Sequence, residues 1–185
     1  VADGKHSSHN PLYALISAKP TEENKIAIDY ILQENPDLVN HVSFRCAVVS
    51  YCVQKRDDPA LIQKLIDLGA NVNDQSRYDD MKWKNYSPSY DTAAHIATLG
   101  GKEKSLEVLI KNHADLNLKN NAGVTPLDVY FYNTHKASPN ISKMITEAGG
   151  DVNLVGNSIS TALGFGVTEK AWEGITYCLK QTKAL

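Results

Sequence analysis

The 185-residue sequence has almost no net charge: 19 Lys and Arg stand against 21 Asp and Glu, a formal charge of -2. A chain this balanced exerts no long-range pull on a polyanion, which argues against nucleic acid, and against a membrane surface, as partner. Long apolar runs are missing too. The longest uninterrupted run of apolar or small residues, Cys46 to Val53, is far short of the roughly 20 residues a bilayer span needs. Cysteine is scarce: Cys46, Cys52 and Cys178 are odd in number and lack metal-ligand spacing. A disulfide framework is therefore not expected, and a reducing, cytoplasmic compartment is the simpler reading. There is no Gly-rich phosphate loop, since Gly100-Gly101 and Gly149-Gly150 read as helix-end glycines. The polar first ten residues predict no signal peptide, and the missing initial Met predicts a processed or trimmed piece.

What the chain does have is self-similarity. Four stretches end alike: Asn35-Pro36-Asp37-Leu38-Val39-Asn40, Leu68-Gly69-Ala70-Asn71-Val72-Asn73, Asn112-His113-Ala114-Asp115-Leu116-Asn117 and Ala148-Gly149-Gly150-Asp151-Val152-Asn153. Each follows apolar residues at i, i+3 and i+4: Ile28, Ile31 and Leu32; Leu61, Ile62, Leu65 and Ile66; Leu106, Leu109 and Ile110; Ile141, Met144 and Ile145. That spacing predicts an amphipathic helix in each unit. The Gly or Asn behind it supplies the left-handed residue that ends a helix. Upstream, Asn10-Pro11-Leu12 and Ser43-Phe44-Arg45 share the 33-residue offset that separates Asn40 from Asn73. Thr125 is expected to cap a first helix, with Pro126 at its first position.

The openings Thr92-Ala93-Ala94-His95, Thr125-Pro126-Leu127-Asp128 and Thr161-Ala162-Leu163-Gly164, joined to the Gly-Ala-Asp-Val-Asn-type endings, resemble the ankyrin repeat. The resemblance runs from about Asn10 to the end of the chain. It implies an all-α solenoid of stacked helix-turn-helix units with β-hairpin fingers, one of them enlarged, forming a single array over 1–185. The units expected are repeat 1 at about 7–40, repeat 2 at about 41–73, an extended finger at 74–91, repeat 3 at about 90–120, repeat 4 at about 121–156 and a capping repeat at about 157–185. The resemblance also implies that His95 ties adjacent turns together, and that the asparagines ending each unit hold the hairpin turns.

Several residues depart from the pattern. Arg45 falls where the family buries a Leu, so either the register slips by one with Phe44 inward, or Arg45 reaches an exposed edge. Tyr130 and Phe131 replace small residues and are expected to widen the helix spacing or turn outward. Long inter-helix links are expected at 18–24, 53–59 and 133–140. The largest departure is the segment 74–91, which carries Arg77, Tyr78, Met81, Trp83, Tyr86 and Tyr90. Residues of these types bring large contact area to interface cores. Two readings stand side by side: a partner-binding loop, and rings folded back over the inner helices to hold the loop.

No catalytic constellation emerges. Cys46, Cys52 and His41 lack triad geometry, and cysteine is often a small core residue. His6, His9, His113 and His135 are scattered. No cofactor, metal site or catalytic residue is expected. The resemblance implies a protein-binding module, a monomer with a protein partner, using the concave face and the aromatic finger. Its expected contact residues are Arg77, Tyr78, Met81, Trp83, Tyr86, Tyr90, Leu99, Lys119, Asn120, Tyr132 and Asn133. The alternative is the targeting region of a larger enzyme, or of a bacterial effector acting in host cytosol.

Overall fold

The fold is taken from a computed structural model, which describes residues 10–40, 46–75, 90–132, 138–152 and 169–181. Among these residues the chain forms α-helices and no strand. The helices are α1 (Pro11–Ser17), α2 (Glu22–Glu34), α3 (Val48–Lys55), α4 (Pro59–Asp67), α5 (Ala93–Gly100), α6 (Glu103–Lys111), α7 (Pro126–Tyr132), α8 (Pro139–Glu147) and α9 (Glu169–Gln181). A 3₁₀ turn, Pro36–Asn40, follows α2. Pro36 imposes it, because the residue before a proline is pushed out of helical geometry, and Asn35 has φ -140°.

The helices pack in pairs, α1 with α2, α3 with α4, α5 with α6 and α7 with α8. The first members form one layer, α1 on α3, α3 on α5 and α5 on α7. The second members form another, α4 on α6, α6 on α8 and α8 on α9. Local chemistry starts these helices where they start. Pro11, Pro59 and Pro139 occupy first-turn positions that need no N–H. The side chains of Asn10, Thr21 and Asp58 accept hydrogen bonds from Leu12 N (3.0 Å), Asn24 N (3.2 Å) and Leu61 N (3.1 Å), each cap being worth about 1 kcal/mol.

The apolar stripes meet between the layers. Ile28, Leu32, Ile62, Leu65, Leu106, Leu109, Ile141 and Ile145 are all buried, each contributing on the order of 1.5–3 kcal/mol of transfer free energy. Their flanking partners Ile66, Ile110 and Met144 are only partly covered. No single pair has enough apolar area to close a core, so the layers hold because each pair covers its neighbour.

The structure corrects four expectations. First, α3 begins at Val48, not near Phe44, with Ala47 as its N-cap and no side-chain cap. Cys46 therefore precedes the helix, and Val49 takes the buried second position that Leu12 and Leu127 hold in α1 and α7. Arg45 and Phe44 lie outside the described residues. Second, Tyr130 and Phe131 do not turn outward: both are buried, stacked edge to face with centroids 5.3 Å apart. Room for the Tyr130 ring comes from Gly174 on α9, where an added Cβ would collide with the Tyr130 hydroxyl and Ser142 Oγ. Third, the links between paired helices are shorter than expected. Glu22 already lies in α2, and α3 runs to Lys55, leaving only residues 56–58 before α4; residues 133–137 lie outside the described set. Fourth, neither Asn35 nor Asn112 is left-handed. The left-handed residue behind α6 is His113, at φ +60°, matching Gly69 (+93°) behind α4 and Gly149 (+97°) behind α8.

Candidate functional site

Turns follow the second helices on one edge of the stack, and the sequence builds them from short polar side chains. In two of these turns an Asx side chain bonds two residues ahead: Asn71 Oδ1 accepts from Asn73 N, and Asp115 Oδ1 from Asn117 N, both at 2.9 Å. Such local bonds compete with helix and favour turns. Two of the unit-ending asparagines, Asn73 and Asn117, expected to hold their own turns, instead reach the next unit. Asn73 Oδ1 accepts from Asp115 N at 2.8 Å. Asn117 Oδ1 accepts from Asp151 N at 2.7 Å, and its amide donates to Gly149 O at 3.0 Å. Asn153 lies outside the described residues.

The turn at 119–124 is tied most densely. Asn120 Oδ1 accepts from Ala122 N (2.9 Å) and Val124 N (3.1 Å). Asn120 N donates to Val124 O, and Gly123 N to Asn120 O, both at 2.9 Å. Gly123 sits at φ +74°, a backbone that a side chain would strain. Three groups fasten this turn to the rest. The Asn120 amide donates to Asp91 Oδ1 at 2.8 Å, Gln75 Nε2 donates to Lys119 O at 2.8 Å, and His95 Nε2 lies 2.9 Å from Val124 O.

His95 is the third residue of α5 and is buried, 1% exposed. Its Nδ1 accepts from Thr92 N at 3.2 Å and lies 2.8 Å from Thr92 Oγ1, completing a reciprocal capping box. With Nδ1 accepting an amide, the proton belongs on Nε2, which donates to Val124 O. Burial pushes its pKa down; the Val124 bond and the Asp91 and Asp128 charges push the other way without cancelling it. The same place in α7 is filled by Asp128, whose Oδ2 accepts from Thr125 N (2.7 Å) and Thr125 Oγ1 (2.9 Å), while its own N–H donates to Thr125 Oγ1 (3.2 Å). In α1 it is Tyr13, whose hydroxyl donates to Cys46 O at 2.5 Å. Cys46 and Val124 both lie just before the next first helix, so a hydroxyl and an imidazole make the same inter-unit tie.

The expected contact residues divide three ways. Arg77, Tyr78, Met81, Trp83, Tyr86 and Asn133 lie outside the described residues, as does the side chain of Tyr132. Leu99, at the end of α5, is 41% exposed, and the Lys119 side chain is exposed. Tyr90 is half-buried at φ +39°, beside the buried Asp91. Asn120 is half-buried, its side-chain oxygen accepting within the turn and its amide donating to Asp91. Sequence reasoning missed Asp91 and Gln75, the two anchors of that turn. A lone Asp before a capping Thr and a lone Gln after Asn73 carry no signal until the turns are side by side.

Nucleophilic chemistry finds no support in the thiols. Cys46, Cys52 and Cys178 are all buried. Burial pushes the Cys52 thiol up to about 12 and raises Cys178 as well, so neither supplies thiolate at neutral pH. Among the described residues no cluster of three His, Cys, Asp or Glu is arranged to hold a metal ion, and no helix is long and apolar enough to cross a membrane.

No curated protein matches the chain. Residues 89–121 match the family model of the ankyrin repeat. That span covers α5, α6 and the first half of the 119–124 turn, the part of the structure with the densest inter-unit ties. Ankyrin repeats serve generally as protein–protein interaction modules, a fold without catalytic chemistry of its own. On the match and on the His95 and Asn117 ties, the chain carries an ankyrin repeat at residues 89–121, stacked between helix pairs on either side.

Proposed function

We propose that the chain is a protein-binding module that engages a protein partner with the turn edge of the stack and the aromatic segment 74–91, acting as an enlarged finger. The observation that carries this reading is the pair of bonds joining neighbouring turns, Asn73 to Asp115 and Gln75 to Lys119. They fix the start of the segment beside the next turn, while Asp91, at its end, is bonded to Asn120 in that same turn. Gln75 and Asp91, at the two ends of the segment, are thus bonded to the one turn that also presents Lys119. Ordered anchors lower the entropy lost when a loop binds. In this reading Arg77, Tyr78, Met81, Trp83, Tyr86 and Tyr90 supply the apolar contact area, flanked by Leu99, Lys119, Asn120, Tyr132 and Asn133. The helix pairs act as the repeat units of one array, with α9 in its closing unit.

The test is an affinity capture using the intact chain and a variant with the 76–89 segment shortened, with helical content compared by circular dichroism. A partner retained by the intact chain and lost by the equally helical variant is the expected result. Equal retention by both removes the segment from the binding surface.

A further inference from the structure

In the middle of the stack the second-layer helices turn polar pairs outward. Gln63 Nε2 donates to Asp67 at 2.7 Å on α4, Lys111 meets Glu107 at 2.8 Å on α6, and Lys143 meets Glu147 at 3.8 Å on α8. α9 differs. Its buried Gly174 and Cys178 face Tyr130, Ser142 and Thr146 of the preceding pair, and Tyr177 reaches Glu147 on α8 at 3.3 Å. These contacts fix the rotation of the helix. Trp172 and Leu179 then lie roughly 150° around the axis from Tyr177, on the side away from α8, and within about 20° of each other. They are 51% and 46% exposed. A helix that closes a stack ordinarily carries a polar outer side, so this apolar stripe calls for a cover.

The stripe is complementary to itself. Thr176 lies between its two ends, and its hydroxyl donates back to Trp172 O at 2.8 Å, so the middle of the stripe needs no outside hydrogen-bond partner. In an antiparallel pair of α9 helices centred beside Thr176, Trp172 of each copy meets Leu179 of the other. The exposed Glu173 and Lys180 flank the stripe on one side, within about 20° of each other around the axis. In that same register Lys180 falls about 3 Å along the axis from Glu173 of the second copy, and the twofold axis repeats the pair. Apolar ends and opposite charges thus match in a single register, as a twofold interface requires. The pairing also continues the second layer, α6 on α8 and α8 on α9, into another molecule.

We propose that α9 is a self-association face: two copies of the chain pack α9 against α9, antiparallel, with Trp172 against Leu179 and Lys180 against Glu173 across the dyad. The dimer stands in place of the monomer that the family resemblance implies. One helix face makes a contact at the small end of the interface range, so a dissociation constant of about 10–100 µM is expected. The face is separate from the turn edge and from the 74–91 segment. The dimer therefore carries two copies of the proposed binding edge, and neither reading depends on the other.

Sedimentation equilibrium of the intact chain, from about 10 µM to 1 mM at low salt where flanking charges are least screened, reads the association. A monomer–dimer equilibrium is expected, weakened about tenfold or more in Leu179→Ser at equal helical content by circular dichroism. Charge exchange tests the register. Lys180→Glu alone and Glu173→Lys alone each set like charges together at both symmetric sites, and each should weaken the dimer about tenfold. An equimolar mixture of the two variants pairs opposite charges at both sites and should associate within about threefold of the original chain. A chain that is monomeric at every concentration overturns the proposal, as does a dimer that Leu179→Ser leaves intact. Growth beyond dimers, single charge variants that dimerise normally, or a mixture no tighter than its components overturns the twofold antiparallel contact. The charge variants, at exposed positions, carry the test alone if Leu179→Ser does not fold. A chain that dimerises as described but captures the same partner without its 76–89 segment contradicts the binding reading and leaves the dimer standing.

Discussion

His113 holds a left-handed backbone that its counterparts Gly69 and Gly149 hold without strain. The bonding is the same in all three helix ends: Ala70 N to Leu65 O (3.1 Å), Ala114 N to Leu109 O (3.0 Å) and Gly150 N to Ile145 O (2.8 Å). A side chain at such a position costs on the order of 1 kcal/mol. His113→Gly is expected to stabilise the chain by about 0.5–1 kcal/mol, read as a shift in denaturant midpoint; a lower midpoint would contradict the helix-end account. The sequence motif names glycine there, and the reading that Asn112 supplies the left-handed turn failed because His113 sits one residue further on. Side-chain identity alone does not say which of two adjacent residues takes the positive φ. Thiol accessibility is a second residue-scale expectation. Burial of Cys46, Cys52 and Cys178 predicts that a thiol reagent labels the native chain only as fast as it opens, whereas rapid stoichiometric labelling in native buffer would contradict their placement.

At the scale of elements, two contacts decide how the last helices join the stack. Gly174 lets α9 approach α7 and α8 over the buried Tyr130 ring. Gly174→Ala is expected to cost about 1–3 kcal/mol by overpacking, and adding Tyr130→Phe, which removes the nearest obstructing atom, to recover part of it. The double-mutant cycle checks this, and strict additivity would mean the two residues do not meet. Asn117 bonds α8's end to the preceding unit through Asp151 N and Gly149 O. Because those bonds are exposed, Asn117→Ala should cost only about 1 kcal/mol, but the loss should concentrate in α8 and α9 when exchange is read segment by segment. Uniform loss would argue against unit-by-unit coupling.

Element boundaries were legible where capping chemistry was strong and illegible where it was weak. Asn10-Pro11, Asp58-Pro59 and Thr125-Pro126 announce their helices, and the helices begin there. α3 does not: Ala47 offers no capping side chain, while Ser43-Phe44-Arg45 imitates the repeat's opening at the expected offset. Tertiary packing decided, by placing Val49 against its neighbours. The same logic explains Tyr130 and Phe131. A sequence read one unit at a time shows rings in a small-residue position, and only the glycine on α9, far along the chain, shows where the Tyr130 ring fits.

For the whole molecule, stability is distributed along a stack in which each pair is covered by the next. Polar ties between units run along both edges. On the turn edge are Asn73, Gln75, His95 and Asn117. At the links between paired helices, Arg56 donates to Asn24, Ser105 to Asp57, and Lys102 to the carbonyls of Val53 and Gln54. Stacked pairs tied in this way present a continuous edge of turns, a form that suits recognition of another protein surface. Of the candidate site, the positions of the turns were legible from the repeated unit endings, though not that Asn71 and Asp115, rather than Asn73 and Asn117, close them. Asp91 and Gln75 were not, because their roles exist only between units. The central claim is that the aromatic segment is the binding element, and its most direct test is the affinity of a captured partner for a Trp83→Ala, Tyr86→Ala double variant of unchanged helical content. The account predicts a dissociation constant raised by about thirtyfold or more, since two buried aromatic anchors are each worth at least about 1 kcal/mol; an unchanged constant would contradict it.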